Sequence, residues 1–294
     1  PNPFAACILL AEMKSETSPG SRQNPAIEAA ARRLRSLIRK LQRTDGFLRV
    51  HTALAEGGNA TIDGAWGSSC ALAAAALADE SPGCMVVVCP NIDAVDDLAD
   101  DLRLFTETPV DIFPAMESIE GSRGALDDDL FGSRIRLIKR MLGRDRSSPC
   151  QSKKAPSAPR LIVTSIPALL QPVPDAGTII AQTRQMRVGD SVDAEALVRW
   201  LLDNGYHRTT GVELPGEFSQ RGGLLDIYAI DWFEPVRIEF FGDEIESIRH
   251  FDVATQRSLE PLEVVELTTL RPGIENYMSQ LGEVLPADTW YALV

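Results

Sequence analysis

The chain has 294 residues, room for one large domain or two ordinary ones, and 44% of them are hydrophobic against 24% charged, the balance of a globular protein. Its 29 basic and 42 acidic side chains leave a net charge of −13, which repels a phosphate backbone unless basic residues gather on one face, so composition argues against autonomous, tight DNA binding. No apolar run approaches the roughly 20 residues of a bilayer span, and the first ten residues lack the basic start and apolar length of a signal peptide, so a cytoplasmic location without a membrane partner is expected.

Residues 1–24 mix Pro, Ser and Gly with little pattern and are expected to form a flexible leader. From Ile27 the apolar positions Ile27, Ala30, Ala31, Leu34, Ile38 and Leu41 recur at helical spacing and predict an amphipathic helix. A glycine-rich stretch at 57–69 then feeds an alanine-rich helix over 70–78. The run Cys84-Met-Val-Val-Val-Cys89 is short, continuous and β-branched, which suits a strand buried on both faces of a parallel sheet. Here Cys84 and Cys89 read as small buried hydrophobes. Together with Cys7, Cys70 and Cys150 they make no C-x-x-C pair, and His51, His207 and His250 are scattered, so reduced thiols and no metal site are expected. Helical stripes follow at 93–105 and 130–142, and Leu161–Ser165 is a second buried-type strand. Strands and helices that alternate in this way indicate an α/β domain with a mainly parallel sheet.

Residues 144–160 are polar, basic and proline-rich, the composition of a disordered surface loop more than of a nucleic-acid tether. Beyond Pro172, Asp193 is placed to cap a helix over Ala194–Asp203, with Asn204-Gly205 as its stop. The segments 224–230, Val236–Phe241 and Glu244–Phe251 read as antiparallel strands, with Gly242-Asp243 as a hairpin turn. After a break at 282–287, residues 289–294 predict one more buried-type strand.

Two acidic clusters call for a reading. Asp243, Glu244 and Glu246 form a turn best read as a solvated hairpin, since no histidine or second carboxylate group converges on it. Asp127, Asp128 and Asp129 precede the 130–142 helix, where negative charge suits a helix amino terminus.

The segment from Gly64 through Gly67 to Ala71 stands where a phosphate-binding loop would stand. A working loop reads G-x-x-x-x-G-K-[ST], with the lysine on the β/γ-phosphates and the hydroxyl on magnesium. Ser69 occupies the second glycine position, Cys70 the lysine position and Ala71 the hydroxyl position. Backbone amides at a helix start can still attract phosphate. They supply no charge for the terminal phosphate, so a tight strand-to-helix turn without nucleotide hydrolysis is the expectation, and no catalytic residue is assigned.

The most specific block is Gly205-Tyr-His-Arg208, then ELPGEFSQRGGLLDI at 213–227, PVRIEFFGDEIESIRHFD at 235–252 and TQRSLE at 255–260. It resembles the second domain shared by the excinuclease component UvrB and the transcription-repair coupling factors (Mfd), and the resemblance covers about residues 25–294 apart from 144–160. The degenerate loop at 64–71 and the absence of any tyrosine before Tyr206, where UvrB carries a tyrosine-rich DNA-clamping hairpin, favour the coupling factors. The resemblance implies an α/β protein: a RecA-like parallel-sheet domain with a degenerate P-loop from 25–172 and 257–294, and an inserted smaller α+β domain at 173–256. It also implies docking to the damage-recognition ATPase UvrA, with Arg208 and Arg221 at the matching positions; the plainer reading pairs each arginine with Glu213, Glu217 or Asp226 of its own domain. By the same resemblance, RNA polymerase and double-stranded DNA would be reached through missing parts of a longer parent. ATP and magnesium would serve translocase domains there, and no cofactor is expected in this segment. Two alternatives stay open: a UvrB-like, ATP-using protein on damaged DNA, and a direct DNA-binding module using the basic 144–160 loop.

Overall fold

The computed structural model describes residues 25–116, 125–143, 158–271, 277 and 279–294; the expected leader and most of the 144–160 loop lie outside the described residues. The chain opens with helices α1 (Pro25–Gln42), α2 (Asp45–Ala55) and α3 (Ser68–Glu80). Strand β1 (Met85–Cys89), α4 (Ala94–Phe105), β2 (Val110–Phe113), α5 (Ala125–Met141) and β3 (Leu161–Ser165) follow, then the short helices α6 (Ile166–Leu170) and α7 (Ala176–Ala181).

A last strand, β12 (Trp290–Leu293), joins these in a four-stranded sheet of order β12-β1-β3-β2, parallel throughout. Alternate residues of β1 face opposite ways, as a pleated strand requires. Met85, Val87 and Cys89 pack with Leu77, Leu98 and Leu102 of α3 and α4, whereas Val86 and Val88 pack with Ile135 and Ile138 of α5 and with Ile179 of α7. Helices thus cover both faces, and β1 and β3 are buried along their whole length, as their continuous apolar runs predict.

Three local expectations shift. Helix α5 begins at Ala125, so Asp127–Asp129 stand within its first turns and not ahead of it. Strand β12 lies at the sheet edge, with Trp290 buried but Tyr291 and Leu293 exposed, so it is not the buried-type strand expected. The break at 282–287 is partly helical, as α9 (Leu281–Val284).

The second half is built around a six-stranded sheet. Its elements are β4 (Thr183–Arg187), α8 (Ala194–Asp203), β5 (His207–Arg208), β6 (Glu217–Arg221), β7 (Leu224–Tyr228), β8 (Val236–Phe241), β9 (Glu244–Phe251), β10 (Ser258–Leu262) and β11 (Val264–Thr268). Strands β10-β9-β8-β7-β6-β5 lie in that order, antiparallel except for the parallel β5–β6 pair, and β11 pairs with β4 in a separate two-stranded sheet. Leu197, Val198 and Leu201 of α8 fill a core with Phe218, Ile227, Val236, Ile238 and Ile248. Leu262, Val265 and Leu267 belong to that same core, so this half extends in space to Thr268 before the chain returns to the parallel sheet at β12. The two halves meet closely at Gly132 of α5, where a Cβ would come within 1.9 Å of the Ile230 carbonyl oxygen.

Candidate functional site: the outer edge of the six-stranded sheet

The 64–71 segment connects α2 to α3, so a helix precedes it where a strand-to-helix turn was expected. Gly64 and Gly67 adopt positive φ values of 80° and 53° to make the turn. The turn closes on itself: the Trp66 amide donates to Ser69 Oγ at 2.6 Å, the Ser69 amide to the Trp66 carbonyl at 3.2 Å, and the Cys70 amide to the Gly67 carbonyl at 2.9 Å. Ala71 is wholly buried in the core beneath the parallel sheet, so the position of the magnesium-binding hydroxyl faces protein. With no lysine and with these amides engaged, the residues present do not fit a nucleoside triphosphate and its metal ion.

Arg208 and Arg221 lie on the two outermost strands at the free edge of the other sheet. Gly205, at φ +77°, ends α8 and turns the chain into β5. Tyr206 anchors that turn: its side chain is buried and its hydroxyl donates to the Thr268 carbonyl at 2.9 Å, while burial holds the phenol well above its usual pKa. His207 and Arg208 then lie exposed on the outermost strand, in register with Glu217 and Phe218 of β6. Phe218 is buried, and the Thr209 amide donates to its carbonyl at 2.9 Å, which fixes β5 against β6. Arg221 is the last residue of β6, and its guanidinium donates back to the Thr210 carbonyl, just past β5.

Two of the three carboxylates that could neutralise these arginines, Glu217 and Asp226, are used elsewhere. Glu217 Oε2 accepts from the Glu213 and Leu214 amides, both at 2.9 Å. Asp226 holds Arg237 in a two-pronged pair at 2.7 and 2.9 Å, which raises the Arg237 pKa. Among the described residues no carboxylate lies within 4.0 Å of the Arg208 or Arg221 guanidinium. The internal ion pairs of the plainer reading are therefore absent among the described residues, and the edge presents two exposed guanidiniums without a paired carboxylate there. Asp243, Glu244 and Glu246 are exposed around the β8–β9 hairpin and form no metal-ligating group with other described residues.

Residues 185–271, which hold this edge, match the UvrB interaction domain family. Over 194 residues the chain is 35% identical to the transcription-repair-coupling factor of Mycobacterium tuberculosis strain CDC 1551, an alignment covering 66% of this chain and 15% of that relative. The factors of Bacillus subtilis and Escherichia coli K12 are 28% and 27% identical, over 77% and 73% of this chain and 18% of each relative. Over much of its length the chain is therefore similar to transcription-repair-coupling factors. It spans less than a fifth of the length of these coupling factors.

Sequence reasoning missed a buried cluster that ties the two halves together. Lys139 of α5 is 1% exposed, and its Nζ donates to Asp231 Oδ2 at 2.7 Å and to Thr268 Oγ1 at 3.1 Å, with Glu266 Oε2 at 4.0 Å. Trp232 Nε1 donates to the Glu266 carbonyl at 3.0 Å, and Gln185 Nε2 to Glu266 Oε1 at 3.2 Å. Nearby Arg134 is equally buried without a carboxylate partner in the described residues; its guanidinium stacks 4.2 Å over the Phe113 ring and donates to the Pro114 carbonyl at 2.8 Å. Burial lowers its pKa to about 10. A lysine on one face of an otherwise apolar helix stripe is the only local signal, and it does not name its partner 92 positions away.

Proposed function

We propose that this chain is a docking module of a transcription-repair coupling factor, that it recruits UvrA through the Arg208–Arg221 edge, and that it hydrolyses no nucleotide itself. The observation that carries the reading is the edge: two exposed guanidiniums on neighbouring strands, free of carboxylates among the described residues, within the segment that matches the UvrB interaction domain. Arginine is suited to such a role because its planar fork pairs with carboxylates and because it is enriched among the residues that dominate interface energies. On this reading the parallel-sheet half is a RecA-like layer whose phosphate loop has degenerated, and the second half, inserted into it, is the docking domain. RNA polymerase, duplex DNA, ATP and magnesium belong to other parts of a longer cytoplasmic parent.

Calorimetric titration of the chain with purified UvrA tests the proposal. Wild-type chain should bind, and Arg208→Ala and Arg221→Ala should each weaken binding by about 1–3 kcal/mol, the usual range for an interface anchor. Both side chains are exposed, so melting temperatures should hardly change. No binding by the wild-type chain, or full affinity in both variants, would overturn it.

A further inference from the structure

We propose that the basic face of α1, with the cavity at its carboxyl end, is a second interaction surface that holds an acidic peptide segment anchored by an apolar side chain. Between residues 28 and 49 the chain places seven basic side chains against two acidic ones, in a protein whose net charge is −13. The apolar side of α1 is already used: Ile38 is buried, and Leu34, Leu37 and Leu41 pack on the core that α3 and α4 share. The opposite side carries the cations. Arg32, Arg39 and Arg43 recur at intervals of seven and four residues and form one stripe; Arg33 and Lys40, seven apart, run beside it. All five are exposed, as is Arg49 on α2. Arg32 lies 3.9 Å from Glu28, but Arg33, Arg39, Lys40, Arg43 and Arg49 have no carboxylate within 4.0 Å among the described residues.

Where the stripe ends, a cavity of about 410 Å³ opens between α1, α2, α3 and the loop before α3. Leu41, Phe47, Val50, Ile62 and Ala73 make its wall apolar, and Arg49 and Asp63 are its charged lining residues. That volume falls in the range of pockets that enclose a sizeable apolar group. Cations beside an apolar hole call for a partner with carboxylates and one greasy side chain.

Duplex DNA fits less well. Helix α4 packs alongside α1 and exposes Asp96 and Asp97, and the chain carries a net charge of −13, which repels an extended phosphate backbone. A phosphate backbone also has no use for an apolar cavity. A membrane surface is disfavoured too, since the apolar face of α1 is committed to the core. The surface is separate from the Arg208–Arg221 edge, so neither reading depends on the other.

Fluorescence anisotropy with the whole chain provides the test. The first probe is a short labelled peptide of Asp, Glu and Ser with one central Leu-Trp pair; the second replaces that pair by Ser-Ser; the third is a labelled DNA duplex. The Leu-Trp peptide should bind at low salt, and more tightly than either other probe. The triple variant Arg39→Glu/Lys40→Glu/Arg43→Glu should weaken it about tenfold or more, as should Gly46→Leu, each tenfold step corresponding to about 1.4 kcal/mol. Gly46 lines the cavity, and a Cβ there meets nothing within 4 Å, so the leucine adds bulk without a clash. The proposal is overturned if the Leu-Trp peptide does not bind, if charge reversal leaves its affinity unchanged, or if the Ser-Ser peptide binds equally well. A duplex bound at least as tightly as the peptide would assign the stripe to nucleic acid instead.

Discussion

His250 is the residue whose chemistry departs most from its surroundings. It faces Val236 across the β8–β9 pair, is 2% exposed, and neither ring nitrogen has a hydrogen-bond partner of good geometry among the described residues. Glu234 Oε2 lies 3.9 Å from Nδ1. Burial pushes the imidazole below its ordinary value of 6.5, and Glu234, the Pro235 carbonyl and Glu260 only partly oppose it. The unfolded chain therefore takes up this proton first as pH falls through about 6.5, and stability declines from there toward the lower pKa of the folded state. Denaturant midpoints measured between about pH 5 and pH 8 should fall on the acid side, and His250→Leu should flatten that fall. An unchanged acid limb in the variant would assign the loss to other groups. Burial acts in the opposite sense on the thiols: it pushes Cys84 up to about 12 and raises Cys89, so both stay protonated and unreactive at neutral pH. The reading of these two cysteines as small hydrophobes needed only their place in a Val-rich run. The state of His250 was not legible, because its burial depends on strands paired around it.

Single elements were the most readable level. Helix α8 occupies Ala194–Asp203 as its pattern predicts, because both ends are written locally: Asp193 Oδ1 accepts from the Ala196 amide at 2.9 Å, and Gly205 supplies the left-handed residue after the last turn. Asp193→Ala should cost about 1 kcal/mol in chemical denaturation, the usual worth of an amino-terminal cap, and Asp193→Ser should recover most of it. A cost near zero would mean that tertiary packing alone holds the helix. Strands β1, β3, β8 and β9 were equally plain from composition and period. The failures share a cause. A strand-like run at 289–294 does not say whether a neighbour covers both its edges, and β12 has one side only. A glycine-rich turn that mimics a phosphate loop does not say what precedes it, and here that element is α2.

At the scale of the molecule, the Lys139–Asp231 pair is the seam between the parallel-sheet half and the second half. Both side chains are almost wholly buried, so removing one strands the charge of the other. Lys139→Met should destabilise the protein by about 3–5 kcal/mol, whereas Lys139→Met with Asp231→Leu should regain part of the loss, because Asp231 then leaves no stranded charge and only the Glu266 carboxylate remains without its cation. Urea unfolding followed by Trp232 fluorescence reads both effects, since the indole donates to the Glu266 carbonyl inside the same cluster. Equal destabilisation in the single and double variants would show that packing, not charge, holds the seam. The seam reaches the edge proposed for docking, because Tyr206, which anchors the Arg208 strand, donates to the carbonyl of Thr268, whose hydroxyl Lys139 also meets.

By itself the sequence determined the α/β alternation, the fully apolar central strands, the capped helix α8, the lack of a lysine and of a hydroxyl at positions 70 and 71, and the block from 205 to 260 with its two arginines. Each of these is encoded within a few residues, as a period, a cap or a motif. Only the tertiary structure decided that Arg208 and Arg221 share one edge, that Glu217 and Asp226 are occupied elsewhere, that the exposed cations of α1 end at a cavity, and that Lys139 finds Asp231 across 92 positions. These are long-range pairings, set by which faces must be buried together, and no local window contains both partners.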